Sequence, residues 1–204
     1  MKRMNEEIDE SPDRSGDPPR AASAEARALA AAWPRAWVAE GRGEALARWW
    51  IQARDSARIL GAPPFPRTVL SRPLARALFD ARRARQLERG LEGAETRLAA
   101  EEAGIDRVTA RPAGMCPTRP GRRISRLLLV SDDGSERFYR TVQKVRDRYS
   151  KRLEVLVLEA DESGLGETAY GSGRRARALL LTHKEAMIRF LTALERSLGI
   201  AEEE

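Results

Sequence analysis

The residues whose types and spacing could do chemistry stand at the ends of apolar runs. In "RLLLVSDDGSERFY", residues 126–139, four apolar residues are followed by Ser131, Asp132, Asp133 and Gly134. Adjacent carboxylates there could hold a magnesium ion, a hard cation that takes oxygen ligands. The single histidine, His183, follows "ALLLT" and could serve as a general base. In open parallel sheets, ligands bind beyond the carboxyl ends of the strands. On the strand assignments below, that edge presents Asp132, Asp133, Glu159, Asp161 and His183. The same residues have a plainer use. Ser131 or Asp133 can cap the helix that follows, and Thr182 or His183 the last one, with acids favoured by the dipole. Capping is the expectation, and a ligand role for the aspartates is the alternative.

The elements that must position these groups follow from hydrophobic period. "ISRLLLV" reads as a strand, "SERFYRTVQKVRDRYS" as a helix and "RLEVLVLE" as a second strand. "ADESGLGETAYGSGRR" reads as a flexible loop, "ARALLLT" as a third strand and "HKEAMIRFLTALERSL" as a closing helix. This alternation implies parallel strands with right-handed crossovers. Upstream the period is helical: "AASAEARALAAAW", then "WVAEGRGEALARWWIQARDSARIL", a breaker "GAPPFPR", a helix from Ser71 carrying Leu74 to Leu87, and "AETRLAAEEA" stopping at Gly104. The expected fold is therefore a helical region, 21–106, followed by a small three-layer α/β domain, 124–200, with a short, mainly parallel sheet. Residues 1–20 read as a disordered acidic tail and 107–123 as a basic Pro/Arg-rich linker, since Pro112, Pro117 and Pro120 exclude a regular helix.

Composition narrows the classes. The chain has 204 residues, 42% hydrophobic and 33% charged, with a mean hydropathy of -0.53. No apolar run reaches the roughly 18 residues of a membrane span, and the first residues lack a secretory apolar stretch, so a cytoplasmic location is expected. One cysteine, Cys116, excludes an internal disulfide and a multi-cysteine zinc site. Net charge is +6 and the isoelectric point about 10.1. Residues 1–20 hold four bases and six acids and Glu202–Glu204 three more acids, so 21–201 carry +11. With 33 arginines against 4 lysines, part of that excess is compositional, but its distribution is informative. On the helix from Ser135, Phe138, Val142, Val145 and Tyr149 share one sector, while Arg137, Arg140, Lys144, Arg148 and Lys151 share another. A row of cations can follow a phosphate backbone. Arg122, Arg123 and Arg126, with Arg174, Arg175 and Arg177, could extend it.

Other patterns carry less. "GLGETA", residues 164–169, has the letters of a dinucleotide fingerprint, but four residues separate it from the strand and Gly171 and Gly173 would cut the helix short. No cofactor is expected. "RLAAEEAGIDRVTARP" could form a helix-turn-helix with Gly104 at the turn, although Pro112 would truncate the second helix. Cys116, among arginines, reads as a linker thiol. Trp33, Trp37, Trp49 and Trp50 read as helical core, or else as a surface for a protein partner.

The order and spacing of Leu127 to Leu191 resemble the kink-turn-binding ribosomal-protein fold shared by Pelota-type RNA-binding domains. "LLLVSDDGSERFYRTVQKV" looks like that family's strand, short Asp/Ser turn and helix. "LEVLVLEADESGLGETAYGSG" is similar to its next strand and the loop with a Leu-Gly pair, and "RRARALLLTHKEAMIRFL" to its closing strand and helix. The resemblance implies RNA in preference to DNA. The family's contacts begin at a Gly-Asn-Glu-type helix start just upstream, where this chain has "RPAGMCPTRPGRR", so no binding residue is carried over. Three readings result: a nucleic-acid-binding, RNA-associated accessory protein; an enzyme or ligand-binding domain built on Asp132, Asp133 and His183; and a regulatory subunit docking through its Trp-rich half. The sequence names no reaction.

Overall fold

A computed structural model describes residues 20–59, 63–109 and 121–200. Residues 1–19 of the acidic tail, most of the Pro/Arg linker and Cys116 lie outside the described residues, and Arg20, expected in the tail, begins the first helix. Among the described residues, eight helices and five strands follow in chain order: α1 (Arg20–Ala32), α2 (Arg35–Ala39), α3 (Glu44–Ile59), β1 (Arg67–Val69), α4 (Arg72–Arg83), β2 (Leu87–Arg89), α5 (Leu91–Thr109), β3 (Arg126–Ser131), α6 (Glu136–Arg148), β4 (Leu153–Glu159), α7 (Glu162–Tyr170), β5 (Ala178–Leu181) and α8 (Lys184–Leu198). The strands form one sheet in the order β1-β4-β3-β5-β2. The expected architecture of N-terminal helices followed by a layered α/β unit with a mainly parallel sheet is present.

The centre of the sheet is buried on both faces. Leu127, Leu129, Leu156, Leu158, Leu179 and Leu181 face α1, α3, α4, α7 and α8. Leu128, Val130, Val155, Val157 and Leu180 face α5 and α6. This is why the strands read as continuous apolar runs and not as alternating ones. No helix among the described residues is long and apolar enough to cross a membrane.

Several local expectations are corrected. β5 runs antiparallel to β3, with Leu127 opposite Leu181 and Val130 opposite Ala178. The reason lies in the connection before it. The segment expected as a loop is α7, Asp161 caps it by accepting from the Gly164 N–H at 2.6 Å, and the chain then folds straight back. The Ala176 N–H donates to the Glu162 carbonyl at 2.7 Å, and the Ser131 N–H to the Arg177 carbonyl at 3.0 Å. The excursion thus starts and ends at the same edge of the sheet, so β5 must enter from there and run backwards. Gly166 permits this return: a Cβ on it would lie 2.4 Å from the Arg174 carbonyl oxygen and 2.6 Å from the Ala176 nitrogen. The "GLGETA" letters and the Leu165–Gly166 pair therefore sit inside a helix, and the glycine serves packing.

The sheet's two edge strands come from the region expected to be all helical. β1 pairs parallel with β4, Arg67 opposite Val157, and β2 antiparallel with β5, Leu87 opposite Leu181. Leu87 is thus in a strand and not on the helix begun at Ser71. α4 stops in a Schellman motif: the Gln86 N–H donates to the Ala81 carbonyl at 2.9 Å and the Arg85 N–H to the Arg82 carbonyl at 3.0 Å. Arg85 takes the left-handed position, φ 57°, usually filled by glycine, so the sequence lacked the usual stop signal. α5 runs unbroken through Gly104 to Thr109, which removes the helix-turn-helix. Trp33, Trp37 and Trp50 are 0–2% exposed and pack edge-to-face, with centroids of Trp33 and Trp50 at 5.5 Å and of Trp33 and Trp37 at 6.0 Å. Trp49 is half-buried against them at 6.0 Å from Trp50. Trp33, Trp37 and Trp50 are core, and Trp49 packs against it.

The two glycines should respond oppositely to alanine. Gly166→Ala forces a methyl against backbone atoms and should cost about 1–3 kcal/mol, the range for overpacking. Gly104→Ala, with nothing within 4 Å of the new Cβ, should gain up to about 1 kcal/mol from helix propensity. Urea midpoints measure both, and a Gly166→Ala midpoint at or above the wild-type value would contradict the close approach.

Candidate nucleic-acid interface

The α6 face is built from its first turn. Ser135 is the N-cap, its hydroxyl accepting from the Phe138 N–H at 3.3 Å, and Glu136 lies at the positive end of the dipole. Arg146 and Arg148 occupy the last turn, where cations are favoured. Tyr139, Val142, Val145 and Tyr149 are buried against the sheet, with Phe138 only half-buried. The Tyr139 hydroxyl donates to the Ser131 carbonyl at 2.8 Å and bolts the helix to the end of β3. Burial pushes that phenol's pKa up. The opposite side exposes Arg137, Arg140, Lys144 and Arg148, with Lys151 just beyond the helix. Arg140 meets Glu136 at 3.7 Å, an exposed pair of little energetic weight. Arg148 lies 5.3 Å over the Tyr149 ring. Arg137, Lys144 and Lys151 form no side-chain ion pair with the described residues.

The arginines expected to extend this row divide. Arg122 pairs with Glu154 of β4 and donates to the Ser150 carbonyl at 3.3 Å. Arg126 holds Glu101 of α5 at 2.9 Å, and Arg152 and Arg97 reach the same carboxylate. Arg126 thus ties α5 to β3, and Arg122 ties the segment before β3 to β4 and to the turn after α6, so both are engaged within the protein. Arg123 is placed beside the row, since its N–H donates to the Lys151 carbonyl at 2.7 Å. Arg174 and Arg175 are exposed, but Arg175 and Arg177 both pair with Glu162 at the opposite edge.

Glu101 and Glu154 answer their burial differently. Burial raises the Glu101 pKa, but hydrogen bonds and charge from Arg126, Arg152 and Arg97 outweigh it and hold the carboxyl below its ordinary value. For Glu154, deeper in the sheet, burial pushes the pKa up against the pull of Arg146 and Arg122. Beside it lies a small recess of about 20 Å³, room for one water, lined by Glu25, Trp50, Arg54, Arg122, Arg146 and Glu154 among others.

The carboxyl edge holds Asp132, Asp133, Glu159 and Asp161 as expected, but not His183. Because β5 is reversed, His183 follows Leu181 at the end of the sheet where β3 begins. There it caps α8, its Nδ1 accepting from the Glu185 N–H at 3.3 Å. The aspartates do not start α6 either. Asp133 accepts from the Ser131 hydroxyl at 2.7 Å and from the Glu162 N–H at 3.1 Å, joining the end of β3 to the first turn of α7. Burial raises its pKa, and these two bonds with nearby Arg177 more than reverse that, leaving it lowered. Asp132 meets Arg67 at 3.4 Å. Among the described residues no group of three His, Cys, Asp or Glu side chains is placed to hold a metal ion.

Sequence reasoning missed Glu101 as the hub of three arginines, a pairing across distant elements with no local signal. It also missed the exposed Arg72, Arg76, Phe79 and Arg83 on α4, whose helical spacing was legible.

No family model matches the chain, and no curated protein matches it. A solved structure of a protein with unknown function from Bacillus halodurans is 18% identical, covers 61% of this chain and 97% of its own, and superposes with a TM-score of 0.38.

Glu101 supplies a test of the amino-edge network. Its folded pKa is depressed, so its stabilisation is fully present above the ordinary carboxylate value near ~4.3 and is lost as pH falls through the lower folded value. Glu101→Gln should cost about 1.5–3 kcal/mol near neutral pH, the scale of hydrogen bonds to charged groups. The difference from wild type should shrink steadily in more acidic solution. Denaturation at several pH values checks this, and a cost unchanged from neutral to strongly acidic pH would refute it.

Proposed function

We propose that this protein binds nucleic acid as an RNA-associated accessory protein, with the outer face of α6 as its contact. The observation that carries the reading is the exposed row Arg137, Arg140, Lys144, Arg148 and Lys151, outnumbering the two exposed carboxylates of the same helix, Glu136 and Asp147, and set on a helix fixed to the sheet by Tyr139, Val142 and Val145. The span from Arg137 to Arg148 is about 16 Å at ~1.5 Å per residue, close to the axial rise of roughly five phosphates on one strand of a duplex. A rigid row matched to that repeat supplies affinity through phosphate neutralisation and carries no base readout. The preference for RNA rests on the resemblance of Leu127 to Leu191 to kink-turn-binding domains. Two geometric facts weigh against the enzyme reading: Asp132 and Asp133 are engaged by Arg67, Ser131 and the α7 backbone, and His183 is at the other end of the sheet.

Binding of labelled RNA should fall with salt at a log–log slope near about -3 to -5, for four or five phosphates at roughly 0.7–0.9 each. Replacing Arg140, Lys144 and Arg148 together by Glu should abolish that binding while leaving the thermal midpoint within a few degrees, because all three side chains are exposed. Fluorescence anisotropy at two or more salt concentrations measures both. A triple variant that binds as wild type does would overturn the reading.

A further inference from the structure

α4 carries a second exposed basic face of different chemistry. Its buried residues Leu74, Ala77, Leu78 and Ala81 pack on α7 and α8. At 100° per residue, Arg72, Arg76, Phe79 and Arg83 fall within a narrow stripe directly opposite them. All four are exposed, Phe79 by 49%. The three arginines make no ion pair with the described residues, and Asp80 is the one acid on the helix. The Arg83 guanidinium lies 5.9 Å over the Phe79 ring. Beside this stripe the half-buried Tyr170, at the end of α7, is overlaid by Arg82 at 5.2 Å and by Arg89 of β2 at 5.8 Å. The α6 row has no comparable exposed ring, since Tyr139 and Tyr149 are buried and Phe138, on the sector facing the sheet, is half-buried.

Alternating cations and an exposed aromatic ring fit one partner chemistry in particular. Unpaired bases stack on aromatic faces while arginines take the neighbouring phosphates. A stacked duplex offers its bases no such access, and an acidic protein surface has no need of the ring. We infer that the α4 face is a contact for single-stranded RNA, with Phe79 as the stacking platform and Arg72, Arg76 and Arg83 on the backbone. The inference rests on the reading that the protein binds nucleic acid, but not on α6 being the only contact. α4 and α6 lie on opposite faces of the sheet, so the two surfaces would hold a paired and an unpaired segment separately.

The test uses the full-length chain, a labelled uridine oligomer and a blunt RNA duplex, with anisotropy at low salt. Phe79→Ala should weaken oligomer binding roughly 5- to 150-fold, the range for loss of one stacked base, and change duplex binding less than about twofold. Phe79→Tyr should restore it, and the Arg76→Glu, Arg83→Glu double variant should lose the oligomer. Thermal midpoints of all variants confirm folding. An Arg140, Lys144, Arg148 to Glu variant run alongside separates the two claims. If that variant loses the duplex while Phe79→Ala keeps the oligomer, the stacking contact is refuted and the α6 reading stands. If Phe79→Ala loses the oligomer while the α6 variant binds everything, the α6 reading is refuted and the stacking contact stands. Equal weakening toward both ligands in Phe79→Ala, or no binding by wild type to either, refutes the inference.

Discussion

A pair of strands buried on both faces governs this structure. Leu127 to Ser131 of β3 and Leu153 to Leu158 of β4 are all buried and pair in parallel register. Such a pair cannot stand in water on either side, so helices must cover both, and the chain after residue 124 contributes three of them. The remaining cover comes from upstream: α5 closes one face beside α6, and α1, α3 and α4 close the other beside α7 and α8. The same upstream chain protects the sheet's edges, with β1 laid along β4 and β2 along β5. The Trp-rich helices are therefore part of the layer that makes the apolar strands soluble.

That constraint also sorts the charge. A sheet apolar on both faces leaves almost no interior site for an ion, and the exceptions are paired. Glu154 meets Arg122 and Arg146, Glu195 meets Arg42, and Glu101 gathers Arg97, Arg126 and Arg152. Guanidinium groups suit these places because one planar fork can serve a carboxylate bidentately and is weakly hydrated for its charge. The arginines used this way are structural, and the large count in the sequence overstates the cations available to a partner. The unspent ones concentrate on helix faces turned away from the sheet, above all on α4 and α6.

What the sequence disclosed follows the reach of each signal. The period of "ISRLLLV" and "RLEVLVLE" and the amphipathic α6 are local patterns, and β3, β4 and α6 formed where they predict. The exposed row from Arg137 to Lys151 was legible for the same reason. Strand direction is not local. The chain from Ala160 to Arg177 is long enough for a crossover, and the close approach at Gly166 with the bonds from Ala176 to Glu162 and from Ser131 to Arg177 marks its turning back. β1 and β2 have three residues each, too few to hold a period, and exist because neighbouring strands offer unpaired edges. The sequence also placed Arg122 and Arg126 with the free cations, because nothing near them in the chain reveals Glu154 and Glu101 as partners.

The reversal of β5 decides which end of the molecule can do what. Had β5 run parallel, His183 would stand beside Asp132 and Asp133, and the strand-end edge would hold a base next to two carboxylates. Reversed, β5 instead brings Arg177 to that edge at its start, and Arg175 and Arg177 close on Glu162 while Arg67 closes on Asp132. Asp132, Asp133 and Glu162 gain partners and become fasteners between β1, β3 and α7. At the other end His183 is an exposed helix cap. The imidazole and the two aspartates therefore stand at opposite ends of the sheet. The rows on α4 and α6 sit on helices whose buried sides are packed into the two cores, so in the proposed binding neither would have to fold first, and the entropy that a flexible arginine segment loses on binding would be largely avoided.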